Sequence, residues 1–337
     1  WLKASWHRSQ SLLGVCPSLS AGEAGAMRTT KVMVAKTASS PRLLSLSLGA
    51  ILGTCTIIFG ALSSRHIIDD LAILLVFLLL SWVVYLQPDW ALAYLERFYL
   101  ERFCPAVVWR IPTRQQRAAL TIDDVPLLVN PTSLEELLDV LLANKVTATL
   151  FIMSGFDLDH DKGGMKPEDR KRCRELLRRA VAEGHELGNH LQHDSPAVAM
   201  EPAAFDEAFL HCDRLLAELA GGEEAWRSRP RRWFRPASAM WNSHILQQAR
   251  EKGYTTVIAN CYPHDVASVT RHINANYLQK RVRPGAVVIV HDRWHTPETL
   301  RKALPAIKSQ GIQLGTLSEL QAAADADAAT DRGGKEE

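Results

Sequence analysis

The chain has 337 residues, a formal charge of +2 from 39 basic and 37 acidic side chains, and 47% hydrophobic residues. That length holds one catalytic domain behind a leader, and the ordinary apolar fraction fits a normal core. The charges are mixed along the chain with no concentrated basic face, which argues against nucleic acid as a partner. The six cysteines (Cys16, Cys55, Cys104, Cys173, Cys212 and Cys261) are scattered without a CxxC pair, so they form neither a zinc motif nor a disulfide framework.

Residues 1–42 are basic, rich in Ser, Thr and Ala, and without apolar period. They read as a targeting or disordered region, with Met27 available as a start. From Leu43 to Leu62 no residue is charged, matching the roughly 20 residues that span a bilayer. After a polar break holding Arg65, Asp69 and Asp70, a second uncharged run extends from Leu71 to Pro88. Trp82, Tyr85 and Trp90 stand where an interfacial aromatic belt would lie. One or two transmembrane segments are therefore expected within 43–90, at 43–62 and 67–88, since neither run shows the polar face of a globular helix. Arg28, Lys31, Lys36 and Arg42 precede the first run, and Arg97, Arg102 and Arg110 follow the second. If both runs insert, these charges leave the rest of the chain cytoplasmic. A single inserted span would place it in a secretory lumen or outside the cell.

From about residue 105 strand-like and helix-like segments alternate. Ala118–Ile122 reads as a buried strand. Ser133 and Glu136 form a capping box opening a helix through Leu142. Val146–Met153 is the next strand, and Pro167 opens an amphipathic helix to about Glu183. Further helices are expected at 202–219, 242–252 and 297–309, and strands at 231–235, 255–259, 286–290 and 311–315. Such alternation predicts βαβ units around a parallel sheet or barrel. From about residue 321 the chain is rich in Ala, Asp, Gly and Lys and is expected to be disordered.

Five polar clusters sit at strand ends of this region. Asp123 and Asp124 close the first strand, where pleating points adjacent carboxylates in opposite directions, one toward a metal and one toward substrate. Alone, they would equally suit a turn before Pro126. Gly184–Asp194 holds His190, His193 and Asp194. On a helical turn His190 would share a face with His193 or Asp194, and together with Asp124 would leave open positions on a metal. His185, out of register, reads as structural. Arg235 follows the apolar Trp233-Phe234 and can reach inward to hold a carboxylate ionised, or be a surface charge. Tyr262-Pro263-His264-Asp265 and then His291-Asp292 follow later strands, and a His there can protonate a leaving amine.

In order and content these clusters resemble the polysaccharide deacetylase family, carbohydrate esterase family four, whose catalytic unit is the NodB homology domain. The resemblance covers about residues 105–320. TIDD, GHELGNH, FRP and VIVHD are similar to four of its motifs. It implies an α/β fold, a distorted (β/α) barrel of about seven strands, and one divalent metal, usually zinc, with cobalt or another able to serve. It further implies Asp123 as general base, Arg235 orienting Asp123, His291 as general acid, and Asp265 tuning His291. Asp124 and His190 would be metal ligands, with Asp194 favoured over His193 as the third. Trp241 and Tyr262 are candidates to meet a sugar ring, Trp241 equally for core packing.

The chain departs from the family at Val125-Pro126, where Gly is common, and in lacking the second Pro and Gly of the third motif. The function implied is removal of N-acetyl groups from a chitin-like, N-acetylglucosamine-containing polysaccharide or oligosaccharide by a membrane-anchored enzyme. Alternatives are another C–N amide hydrolase, an O-acetyl esterase, or a non-catalytic carbohydrate-binding membrane protein.

Overall fold

The computed structural model of the protein describes residues 67–127, 133–158, 164–266 and 271–333. The chain divides into two compact units, Trp1–Ala72 and Ile73–Glu337. In the first unit only the opening of a helix is described, so the basic segment 1–42 and the uncharged run 43–62 lie outside the described residues.

That helix runs Ile67–Leu86, with Asp69 and Asp70 near its start. Its charge-free part, Leu71–Leu86, covers 16 residues. At ~1.5 Å per residue it reaches about 24 Å, short of a ~30 Å hydrocarbon layer. Among the described residues no helix is long and apolar enough to cross a membrane, so the span expected at 67–88 is not found. The helix stops before Pro88, where Gln87 turns left-handed (φ 46°). A residue preceding proline is disfavoured in the α conformation.

Among its described residues the second unit has eight parallel strands: β1 (Val107–Val108), β2 (Arg117–Val125), β3 (Thr149–Ile152), β4 (Glu186–Asn189), β5 (Trp233–Phe234), β6 (Thr255–Val257), β7 (Val287–His291) and β8 (Gln313–Gly315). Their order is β1-β6-β5-β4-β3-β2-β7, with β8 pairing the first residues of β2. Just past β6, Cys261 forms a parallel bridge to Val288 of β7, curling the sheet into a half-barrel. The expected α/β architecture of about seven strands is thus present in its coarse form.

Alternation along the strands sorts side chains onto two faces. Leu120 and Ile122 of β2, Leu150 and Ile152 of β3, Phe234 of β5 and Val288 and Val290 of β7 join the core shared with the surrounding helices. Ala119, Phe151, Trp233, Val257 and Val287 face the other way, into a smaller inner cluster. By the same parity Thr121 and Asp123 follow Ala119 onto the inner face. Both layers are buried, as an all-parallel sheet requires.

Four segments differ from the sequence expectation. Residues 190–194 do not form the expected helical turn: the strand Glu186–Asn189 ends just before His190, and Leu191 is left-handed (φ 65°). Its four residues, one of them glycine, are too short to display a period. Ser133 makes no cap to its helix, Leu134–Asn144; its hydroxyl donates instead to Asp292. The tail expected to be disordered from 321 is helical over Leu317–Gly333. Its Leu317 and Leu320 complete the inner cluster, and Asp327 accepts from the Thr113 hydroxyl at 2.6 Å. Alanine-rich sequence favours helix once such docking exists. The helix Arg271–Arg281, which buries only Asn274, Ala275, Tyr277 and Leu278, was not foreseen at all.

Candidate active site

Strand register assembles the site. Asp123 is the Cα partner of His291 across β2 and β7, and Asn189, preceding His190, is the partner of Phe234, preceding Arg235. Four strand ends therefore deliver four polar side chains to one place, at the carboxyl end of a parallel sheet.

Local chemistry sets the details. At the end of β2 the pairing register shifts between Ile122 and Val125, and Asp124 is left-handed (φ 60°). Asp tolerates this conformation better than most residues, at a cost on the order of 1 kcal/mol. The irregularity cancels the pleat, so the two carboxylates do not diverge as expected. His190 Nε2 stands 3.8 Å from Asp123 Oδ2 and 3.4 Å from Asp124 Oδ1. After β4, the Asn189 side chain accepts from the Leu191 amide at 2.9 Å, a local turn that orients His190.

Arg235, 1% exposed, is fully engaged. One terminal nitrogen donates to Asp123 Oδ1 and to the Thr121 hydroxyl oxygen, both at 2.6 Å. The other donates to the Ile258 carbonyl at 2.8 Å. Its guanidinium lies 4.1 Å from the Phe151 ring centre. Phe151 fits there because its partner on β4 is Gly188, where an added Cβ would come within 2.7 Å of the ring. Burial pushes the Arg235 pKa down, and the Asp123 charge opposes that.

On the opposite side, His291 Nδ1 lies 2.8 Å from Asp265 Oδ1. Burial alone would lower the His291 pKa, but the charges of Asp265, Asp124 and Asp123 overcome it and raise it. Asp265 moves the other way: burial would raise it, and His291 holds it below the usual carboxylate range. The half-buried Tyr262 ring is 5.7 Å from the His291 ring.

Two donors fit a metal. Asp124 Oδ1 is buried without a hydrogen-bond partner. His190 Nδ1 is 2.7 Å from the Arg235 carbonyl, so a proton there leaves Nε2 free to ligate beside it. Burial would raise Asp124, yet His190, His291 and Arg293 hold it far below its ordinary value. Among the described residues, no three His, Cys, Asp or Glu side chains form a ligand cluster. His193, a helical turn's reach in the sequence reading, instead rests its ring against Gly155. Asp194 is half-buried and acts on Arg293 electrostatically.

Trp241 packs partly buried against the main core. Arg293 and Trp294 carried no sequence signal, and Asp292 was visible only as the last residue of VIVHD, without a role. Arg293 donates to Asp124 Oδ2 at 2.6 Å. Asp292 is buried and accepts from the Leu127 amide at 2.9 Å and from Ser133. Trp294 is 58% exposed, with the Arg271 guanidinium 5.0 Å from its ring centre. The one available cue was position, directly after a motif at a strand end.

Fold and site together place two aspartates, two histidines and a buried arginine at the carboxyl end of a curled parallel sheet, a set whose chemistry suits hydrolysis. A polysaccharide deacetylase family profile matches residues 110–257, ending before Asp265 and His291. The chain is 30% identical over 220 residues to a peptidoglycan-N-acetylglucosamine deacetylase of Bacillus cereus, covering 64% of this chain and 92% of that protein. A chitooligosaccharide deacetylase of Bradyrhizobium is 28% identical over 218 residues, covering 60% and 89%. The structure of the peptidoglycan deacetylase PdaC from Bacillus subtilis shares the fold, with a TM-score of 0.53 at 20% identity over 65% of this chain and 96% of that one. The chain belongs to the polysaccharide deacetylase family, hydrolases that remove N-acetyl groups.

Proposed function

We propose that the protein hydrolyses the acetamide of N-acetylglucosamine units in a chitin-like polysaccharide or oligosaccharide, releasing acetate and leaving a free amine. The observation that carries this reading is a carboxylate and an imidazole, each fixed by its own buried partner, facing each other across β2 and β7. Asp123 is held by the Arg235 guanidinium, and His291 keeps its proton through Asp265. Asp123 takes a proton from the attacking water as its oxygen bonds to the acetyl carbon. His291 gives a proton to the nitrogen as the C–N bond breaks.

A divalent metal, zinc before cobalt or another, would be held by Asp124 and His190, with Asp194 or His193 completing the set. When bound it would polarise the carbonyl and acidify the water. Tyr262 and the exposed Trp294 offer aromatic faces to a sugar ring. The relatives' names, covering chitooligosaccharide and peptidoglycan, support an N-acetylated glycan as substrate. The exposed Leu71, Leu75, Phe77 and Leu80 of the first helix support attachment to a membrane.

The test is acetate release from N-acetylglucosamine oligomers by the full chain, with and without chelator, beside Asp123→Asn. Release should be chelator-sensitive and should fall about 10²–10⁴-fold in the variant. No release from folded, metal-supplemented protein would overturn the reading in favour of another amide or an O-acetyl ester.

A further inference from the structure

The guanidinium of Arg293 sits on the carboxylate that the proposed metal needs. One terminal nitrogen donates to Asp124 Oδ2 at 2.6 Å, and the other donates to the Asp292 carbonyl at 2.9 Å, which anchors the head group. The Arg293 side chain is 20% exposed and that of Asp124 only 2%. Both groups are largely withdrawn from solvent, which weakens screening and makes their attraction stronger than that of a surface pair.

We infer that Arg293 is a resident cation that competes with the divalent metal for Asp124 and lowers the metal affinity of the site. The inference rests on the reading that Asp124 and His190 hold that metal. With Arg293 in place, the Asp124 carboxylate divides one negative charge between a fixed monocation on Oδ2 and a dication beside Oδ1, and the two cations repel each other. Lysine would keep the charge but not the two-point grip. Glutamine or methionine would remove the charge while retaining most of the stem.

Zinc and cobalt affinities of the full chain, measured by titration calorimetry and by competition with a chromophoric chelator, test this on R293Q, R293M, R293K and H190A. R293Q and R293M should bind at least tenfold more tightly than the unaltered protein, and R293K within a few fold of it. In a metal-free thermal scan R293Q should melt lower, because Asp124 loses its partner, and should gain more than the unaltered protein when zinc is added. Equal or weaker metal binding by R293Q and R293M, with binding still abolished in H190A, would overturn the inference and leave the metal reading standing. Absence of binding in the unaltered protein and in R293Q alike would bring down the metal reading and the inference with it. Two charge-removing variants guard against one failing to fold.

Discussion

Asp265 and His291 are joined at two points: Nδ1 lies 2.8 Å from Oδ1, and the His291 backbone N–H donates to Oδ2 at 2.8 Å. The backbone bond fixes the carboxylate against the strand end, so its charge is aimed at the imidazole whichever way the ring moves. The pair forms only because the loop after β6 and the end of β7 meet where Cys261 bridges Val288.

Asp265→Asn should keep this shape and remove the charge. The His291 pKa, raised chiefly against the pull of burial by Asp265, then drops. In the proposed role His291 acts in its protonated form, so the alkaline limb of the kcat/KM profile should move to lower pH. A limb that stays in place in the variant would remove His291 from the role of acid.

Arg235→Met should leave Asp123 buried with no cation, at a cost of about 3–5 kcal/mol. Arg235→Lys should recover little of it, since one ammonium cannot serve Asp123, Thr121 and the Ile258 carbonyl together. Denaturant unfolding of both variants checks this, and full stability in the lysine variant would contradict the fork geometry.

Gly188→Ala places a methyl against the Phe151 ring, 2.7 Å from its nearest atom. Since Phe151 supports the Arg235 guanidinium, the shift should cost about 1–3 kcal/mol and lower kcat as well. Stability loss with unchanged kcat would show that Phe151 does not position Arg235.

Ending the chain at Gly315 removes the C-terminal helix and uncovers Trp233 and Phe151. Loss of Leu317 and Leu320, 0% and 1% exposed, should alone cost about 3–6 kcal/mol. Burial of Glu186 would also suffer, since Ser318 donates to it and helps offset the desolvation that raises its pKa. An unchanged melting temperature would mean that the helix contributes nothing to the inner core.

Much of the fold was legible because apolar runs bounded by turn residues announce buried strands. Helices such as Pro202–Leu219 show a 3.6-residue period over many turns. The helix Arg271–Arg281 was not legible because its buried face mixes Asn274 with Ala275, Tyr277 and Leu278 over only about two turns of otherwise polar sequence. At the site, Asp123, Asp124, His190, Arg235, Asp265 and His291 were all visible as polar residues ending apolar strands. The helical-turn geometry drawn for His190, His193 and Asp194 failed because four residues of strand and a left-handed Leu191 precede the bend.

The sequence by itself determined the residue types of an acid–base hydrolase and their places at successive strand ends, since both are local properties of short segments. Only the tertiary structure decided which of them meet. The irregular end of β2 brought both aspartates to one histidine, and the curl of the sheet brought Asp265 to His291. It also seated Arg293 on Asp124, 169 residues away. Such distant pairings depend on strand register and chain closure, and neither leaves a period or a motif in the sequence.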